Sequence, residues 1–394
     1  MFFQLPADGH VFIRSRQRHM TSAPHRKLRV AVVGCGFISD IYLTNLPKFA
    51  GVEVCAVADL DMERAKASAL RHGVARVLAA DAVYTDSGID LILNLTHPAG
   101  HAEVARRALQ SGKHVYNEKP LTLELAEARG LIDTARAAAL RVCCAPDTVL
   151  GAGIQTCRKL IDSGAIGEPI AATAFMTNHG HEGWHPDPAF YYQPGAGPMF
   201  DMGPYYLSAL VNLIGRIDSV SAFARASFPE RVIGSKPRRG QRIEVNTPTH
   251  VAGQMQFANG AIGTIVTSFD IWGARLPFIE IHGTEGSLSV PDPNTFGGPV
   301  SLKVRDGDWT EVPLSHPYSD NTRGLGIAEL AHSLETGERP RTDGEIGYHV
   351  LEVMHGFLAA ATRRQTVSID STFQRPAPMS EQPLAMTNER FTHA

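Results

Sequence analysis

Short, nearly unbroken apolar runs alternate with amphipathic stretches over the first third of the chain. The runs 28–33, 52–58 and 91–95 are apolar at all but one position each, the pattern of strands buried on both faces. Short strands at 115–116 and 141–145 continue the series. Between the last three, Val104, Ala108 and Leu109 fall on one helical face, and 121–138 is rich in Ala, Leu and Glu. A further helix runs from the Gly-rich turn after residue 33 to about Pro47. This strand–helix–strand order predicts an N-terminal Rossmann domain, a doubly wound parallel sheet over 28–148.

Beyond Gly164 the pattern changes to strict alternation. Strands are predicted at 170–177, 217–228, 248–258, 261–272, 276–283, 286–290 and 299–305, with Asn259-Gly260 as a hairpin turn. Helical spacing is predicted over 150–163, 204–215, 323–336 and 344–363. The fold class is therefore α/β, with a C-terminal α+β domain over 149–373 built on a large, mainly antiparallel open sheet. One face of that sheet covers the helices at 150–163 and 204–215. Residues 374–394 read as an extended tail. Residues 1–27 read as a disordered extension, with Met20 as an alternative start.

Composition narrows the function. The 394 residues are 43% hydrophobic and 20% charged, with 37 Lys and Arg against 40 Asp and Glu. A net charge of −3 points to neither a nucleic acid nor a membrane partner. No run reaches the length of a membrane helix, and 1–27 lacks the apolar core of a signal peptide. Five cysteines, at 35, 55, 143, 144 and 157, form no zinc or disulfide pattern, which suits a reducing cytoplasm. The Arg- and Lys-rich stretch 229–246 reads as a solvated loop, or as a lid or subunit contact.

The candidate chemistry lies where predicted strands end. Ligands of open parallel sheets bind beyond the carboxyl ends of the strands. Thr96, His97 and Pro98 follow one strand there, and Glu118, Lys119 and Pro120 follow the next. After the first strand comes Gly34-Cys35-Gly36-Phe37-Ile38-Ser39, a G-x-G-x-x-S variant of the dinucleotide fingerprint. The next long strand ends in Asp59, a ribose acceptor, followed by Leu60. With Arg64 pointing off the helix, that carboxylate favours NAD over NADP. The plainer reading makes Gly34 and Gly36 turn residues and Asp59 a helix cap.

Asp147 either borders the crevice or caps the helix at 150–163. The segment 178–200 offers His181, Trp184 and His185 as substrate contacts; a metal site there is disfavoured, and plain loop packing stays open. Asp201 and Tyr205 sit about a turn apart at the start of a helix.

The GCGFIS turn, Asp59, the NLTHPAGH run with His101, and the NEKP segment together resemble the Gfo/Idh/MocA family of oxidoreductases over about residues 28–370. The E-K-P triplet is the most specific of these signals. The resemblance implies a nicotinamide-dependent dehydrogenase acting on a secondary alcohol of a sugar, polyol or glycoside. It places Lys119 beside nicotinamide and substrate. In the family's D-x-G-x-H segment Asp201 keeps its place and Tyr205 replaces the histidine, a variant that other members carry. It further implies a homodimer or homotetramer through the C-terminal sheet. Lys119 is expected to be the acid/base, its pKa lowered by desolvation, with Tyr205 as partner, Asp201 as positioner and Glu118 as support. Two alternatives stand beside this: an NAD-dependent glycoside hydrolase of the same fold, and a non-catalytic sugar- or nucleotide-sensing regulator. The regulator branch tends to lose the lysine.

Overall fold

The structure, a computed structural model, describes residues 26–387. The extension expected at 1–27 falls almost wholly outside them. Strands β1 (Leu28–Val33), β2 (Val52–Ala58), β3 (Val77–Leu78), β4 (Leu91–Asn94), β5 (His114–Asn117) and β6 (Val142–Cys144) form one parallel sheet in the order β3-β2-β1-β4-β5-β6. Chain order reverses between β1 and β4, so the crevice opens where those two strands end. All four residues of β4 are buried, as its unbroken apolar run requires of a strand covered on both faces.

The second sheet has nine strands. They are β7 (Pro169–Thr177), β8 (Ile217–Arg225), β11 (His250–Phe257), β12 (Ile262–Ser268), β13 (Ile279–Gly283), β14 (Gly286–Val290), β15 (Val300–Val304), β16 (Thr310–Val312) and β17 (Val367–Ser368). Their order is β16-β15-β14-β13-β7-β12-β11-β8-β17, and β7 with β12 is its parallel pair. β9 (Glu230–Val232) and β10 (Arg242–Glu244) form a separate small hairpin. The stretch 229–246 is thus neither a plain solvated loop nor wholly basic surface: its Arg231 is 4% exposed.

Helix Gly203–Leu213 is buried at every residue, packed against helices Ala152–Asp162 and Gly344–Arg363 and against β7. Apolar residues on all sides leave it no solvent face. The helix expected from 204 is preceded by a separate short one, Gly197–Asp201, so Asp201 ends one helix and Tyr205 begins the next.

The last part of the chain returns to the first. The backbone of Thr342 accepts from Cys144 N–H (2.9 Å), extending the edge of β6. The segment expected to be an extended tail is packed through Thr387: Met379 N–H donates to Gln155 Oε1 (2.8 Å), and Met386 bridges Phe49. Among the described residues no helix is long and apolar enough to cross a membrane.

Candidate active site

The Gly-rich turn begins at Gly34, with φ +100°. A Cβ there would lie 2.6 Å from the carbonyl oxygen of Leu95, so only glycine lets β1 and the loop after β4 close together. Gly36 differs: a Cβ would meet nothing within 4 Å, which leaves open space over the turn. Ser39 does more than stay small, since its Oγ donates to Gly36 O (2.7 Å) and ties the turn to the helix Ser39–Asn45. Phe37 is fully presented to solvent and Ile38 is half-buried. Open space at Gly36 with a carboxylate at the tip of β2 fits a dinucleotide, with the diphosphate at the turn and the ribose at Asp59.

Asp59 is buried and receives Cys35 N–H at 2.8 Å and Asp61 N–H at 2.9 Å. Arg64 does not point off its helix. It folds back onto Asp59, with Nη2 to Oδ1 at 2.7 Å and Nε to Oδ2 at 3.0 Å. Burial disfavours the Asp59 carboxylate, but Arg64 and the two amides outweigh it and hold the group below its usual range. The ribose end of the crevice therefore carries an ion pair, not a bare anion.

Thr96 and His97 follow β4. The Thr96 hydroxyl donates to Asn94 Oδ1 (2.7 Å), and the His97 ring meets Phe190 edge-on across the cleft, 4.9 Å between centroids. Pro98 opens a single helical turn. His101 has another role than the expected cofactor contact. It is 1% exposed, with Nδ1 2.7 Å from Pro120 O and Nε2 3.0 Å from Thr96 O. Both nitrogens face backbone carbonyls, and the ring, which burial favours in its neutral form, donates to one of them and joins the two strand-end loops.

Beyond β5, Glu118 Oε1 accepts from Tyr42 Oη (2.8 Å) and Oε2 from Lys119 N–H (2.9 Å). The carboxylate braces the backbone that carries Lys119. The Lys119 side chain crosses to the other domain, donating to Asp201 O at 2.6 Å and to Asp201 Oδ1 at 2.9 Å. The Tyr205 ring centre lies 5.1 Å from its Nζ. Asp201 Oδ2 is 2.9 Å from Nε2 of His181. Asp201 is thus held between two nitrogen bases, one from each side of the cleft.

The electrostatics correct the sequence expectation. Burial alone lowers the Lys119 pKa, but Asp201, Tyr205 and Glu118 outweigh it and hold it above its ordinary value. The same pair drives Asp201 well below the carboxylate range, against its burial. Burial raises Tyr205, while Lys119 and a hydrogen-bonded Arg323 pull against that rise. The site holds a cationic lysine and a neutral phenol beside an ionised aspartate.

The segment 178–200 forms the far wall. His181 is buried, its ring 4.1 Å from that of Tyr191 and 4.7 Å from that of Phe269. Trp184 and His185 lie nearer the mouth, with ring centres 5.3 Å apart, and Trp184 is 61% exposed. Behind this wall lies a buried ion cluster that the sequence did not announce. Arg231, from β9, donates to Glu182 Oε1 (2.9 Å), to Phe269 O (2.7 Å) and to Asp270. Tyr192 Oη donates to Glu182, and Thr249 Oγ1 to Asp270 Oδ2 (2.8 Å).

Asp147 stands apart from this cluster. It is 1% exposed, and Oδ2 accepts from Gly324 N–H (2.8 Å) and Gly326 N–H (3.1 Å). It caps helix Leu325–Thr336, far along the chain, and not the helix Ala152–Asp162 that follows it. Its carboxylate is therefore unavailable to a substrate. The same loop brings Arg323 to Tyr205, a neighbour no local pattern reveals.

Comparison with known proteins fits this geometry. Residues 28–145 match the family model described as "Oxidoreductase family, NAD-binding Rossmann fold", and 154–289 match "GFO/IDH/MocA C-terminal domain". The chain belongs to the Gfo/Idh/MocA family of oxidoreductases. Within that family it is 34% identical over 364 residues to a dTDP-3,4-didehydro-2,6-dideoxy-alpha-D-glucose 3-reductase of Streptomyces violaceoruber, covering 89% of this chain and 95% of that protein. It is 26% identical over 349 residues to a 1,5-anhydro-D-fructose reductase of Ensifer adhaerens, covering 87% and 99%. Among solved Gfo/Idh/MocA-like folds, a levoglucosan dehydrogenase in complex with NADH and L-sorbose superposes with a TM-score of 0.76 at 21% identity, over 88% of this chain and 100% of that one.

Proposed function

We propose that this oxidoreductase interconverts a secondary alcohol and a ketone on a sugar, polyol or glycoside, with Lys119 as acid/base. The observation that carries the reading is Lys119 Nζ, fixed by Asp201 at 2.6 and 2.9 Å beside Tyr205 at the strand-end crevice. A nicotinamide cofactor held at the Gly34–Gly36 turn and Asp59 would supply or take up the hydride. The chain's own groups handle the oxygen and its proton. A cationic Lys119 is competent as it stands to protonate the oxygen of a ketone being reduced. In the oxidising direction it must first lose its proton. Tyr205 lies on the same side and donates a second hydrogen bond, while His185 and Trp184 at the mouth contact the sugar. The relatives named above, both reductases of sugar derivatives, favour oxidoreduction over hydrolysis.

The cofactor we favour is NAD. The Asp59 carboxylate accepts ribose hydroxyls well and a 2′-phosphate poorly, but Arg64 beside it narrows the margin. We also favour a homodimer or homotetramer through the open face of the large sheet. Phe223, Ala252, Val266 and Phe175 stand opposite one another on neighbouring strands, and Phe278 borders Phe175. Phe223 is 80% exposed and Phe278 47%, an apolar row that a second copy would cover.

The test follows absorbance at 340 nm, with NADH and a panel of keto sugars, and in reverse with NAD and sugars, polyols and glycosides. Turnover of at least one member is expected. Release of free sugar from glycosides without net change in NADH would transfer the protein to the hydrolase reading. For assembly, Phe223→Glu should lower the mass measured by light scattering if the sheet is the interface.

A further inference from the structure

Asp201 offers one carboxylate to two nitrogen bases. Lys119 occupies Oδ1 and His181 occupies Oδ2, each at 2.9 Å. His181 is 7% exposed, and its Nδ1 is buried with no hydrogen-bond partner. A ring held only to contact sugar would not need one nitrogen on a carboxylate that already has a lysine.

We infer that His181 is a positioning residue for the acid–base step: it keeps Asp201 aimed at Lys119 and stays hydrogen-bonded to that carboxylate when Lys119 gives its proton away. The inference rests on the reading of Lys119 as the acid/base. As Lys119 passes its proton to the substrate oxygen, an N–H bond breaks, an O–H bond forms, and the amine left behind is neutral. Asp201 then remains a buried carboxylate without a partner charge, an expensive state. His181 Nε2 already faces its other oxygen. An Nε2–H donated to that oxygen keeps the carboxylate hydrogen-bonded through the step without any side chain moving. When a proton returns to Lys119, its ion pair with Asp201 re-forms.

The surroundings of the ring fit. Tyr191, Phe269 and Trp184 pack against it and carry no charge. The Tyr192 hydroxyl accepts the backbone N–H of His181 at 3.3 Å, not the ring. The charged neighbours are Lys119, acting through Asp201, and Glu182, the next residue. Glu182 is bound by Arg231 and Tyr192 and so is committed elsewhere. His185 is the other titratable group near the ring; its own imidazole is lowered by burial, and His181 contributes to that lowering.

His181→Gln and His181→Ala test the role. A glutamine amide can still donate to Asp201; an alanine cannot. With the full-length enzyme and its best substrate, His181→Ala should lose about 100-fold in kcat. It should bind the nicotinamide cofactor normally and recover part of the rate on addition of imidazole. His181→Gln should restore kcat and KM toward the parent values. If His181→Ala keeps the parent kcat, or if a folded His181→Gln loses about tenfold or more, the inference is overturned. If Lys119→Ala is itself nearly as active as the parent, it is the acid/base reading that fails. An inactive Lys119→Ala with a silent His181→Ala removes only the role given to His181.

Discussion

Arg64 donates to both oxygens of Asp59 from one turn into the next helix, at 2.7 and 3.0 Å. A cation so placed is a standing receptor for a 2′-phosphate, while the carboxylate it covers is a receptor for ribose hydroxyls. We expect kcat/KM to favour NAD over NADP. Removing the cation in Arg64→Ala should cost NADP about tenfold or more, on the scale of a lost charged hydrogen bond, and leave NAD less affected. Asp59→Ala should erode the preference. A tenfold preference of the parent for NADP would refute the assignment.

For the lysine, steady-state kinetics and cofactor binding are to be measured together. Lys119→Ala should lower kcat by about 10²–10⁴ with the NADH dissociation constant nearly unchanged. Tyr205→Phe should lose less and move the pH–rate profile, because the phenol is the second group within reach of the reacting oxygen. Turnover close to the parent in Lys119→Ala would make Tyr205 the better candidate.

The buried cluster behind the substrate wall predicts a stability effect. Arg231 is 4% exposed and joins Glu182 and Asp270. Arg231→Met leaves two carboxylates buried without their cation, at a cost of about 3–5 kcal/mol. Urea unfolding should show this as a lower midpoint. KM should rise as well, since Glu182 adjoins His181.

A pH effect is expected at His349, far from the chemistry. The ring is fully buried; Ile217 N–H donates to its Nε2 at 3.1 Å, and Ser371 Oγ lies 2.7 Å from Nδ1. Burial pushes its pKa down to about 4. The unfolded chain therefore binds this proton first as pH falls, and the contribution to stability, present above the unfolded value, is lost between about pH 6.5 and 4. The size is up to about 3 kcal/mol. Asp147 acts in the opposite sense: burial raises it to about 6, so it favours the fold as pH falls through the same window. Comparing parent and His349→Gln isolates the histidine: the variant should show a shallower acid-side loss.

The Rossmann half and the position of Lys119 were legible because both are local. An apolar run predicts a buried strand, and residues just past it must face the crevice. Asp201 was legible by resemblance. What escaped were choices of partner across long stretches of chain. Arg64 could point outward or fold back, and a five-residue spacing does not decide. Arg231 sits in a stretch whose charge reads as surface, until β12 and the 178–200 segment close over it. Asp147 reads as a cap for its own helix, but its partners are glycines about 180 positions later. The ionisation of Lys119 is hidden for the same reason: desolvation is foreseeable from a strand end, whereas the carboxylate that outweighs it arrives from another domain.

The pairing of Met386 with Phe49, and of Thr342 with Cys144, bears on the order in which the protein is made. A ribosome releases the Gly-rich turn and Lys119 well before the segments that finish the packing of the nucleotide domain, which follow much later in the chain. The nascent N-terminal half must wait, with the edge of β6 uncovered, until those later segments have emerged. Rare codons or a stall late in the message would lengthen that exposure, and chaperone dependence should concentrate there.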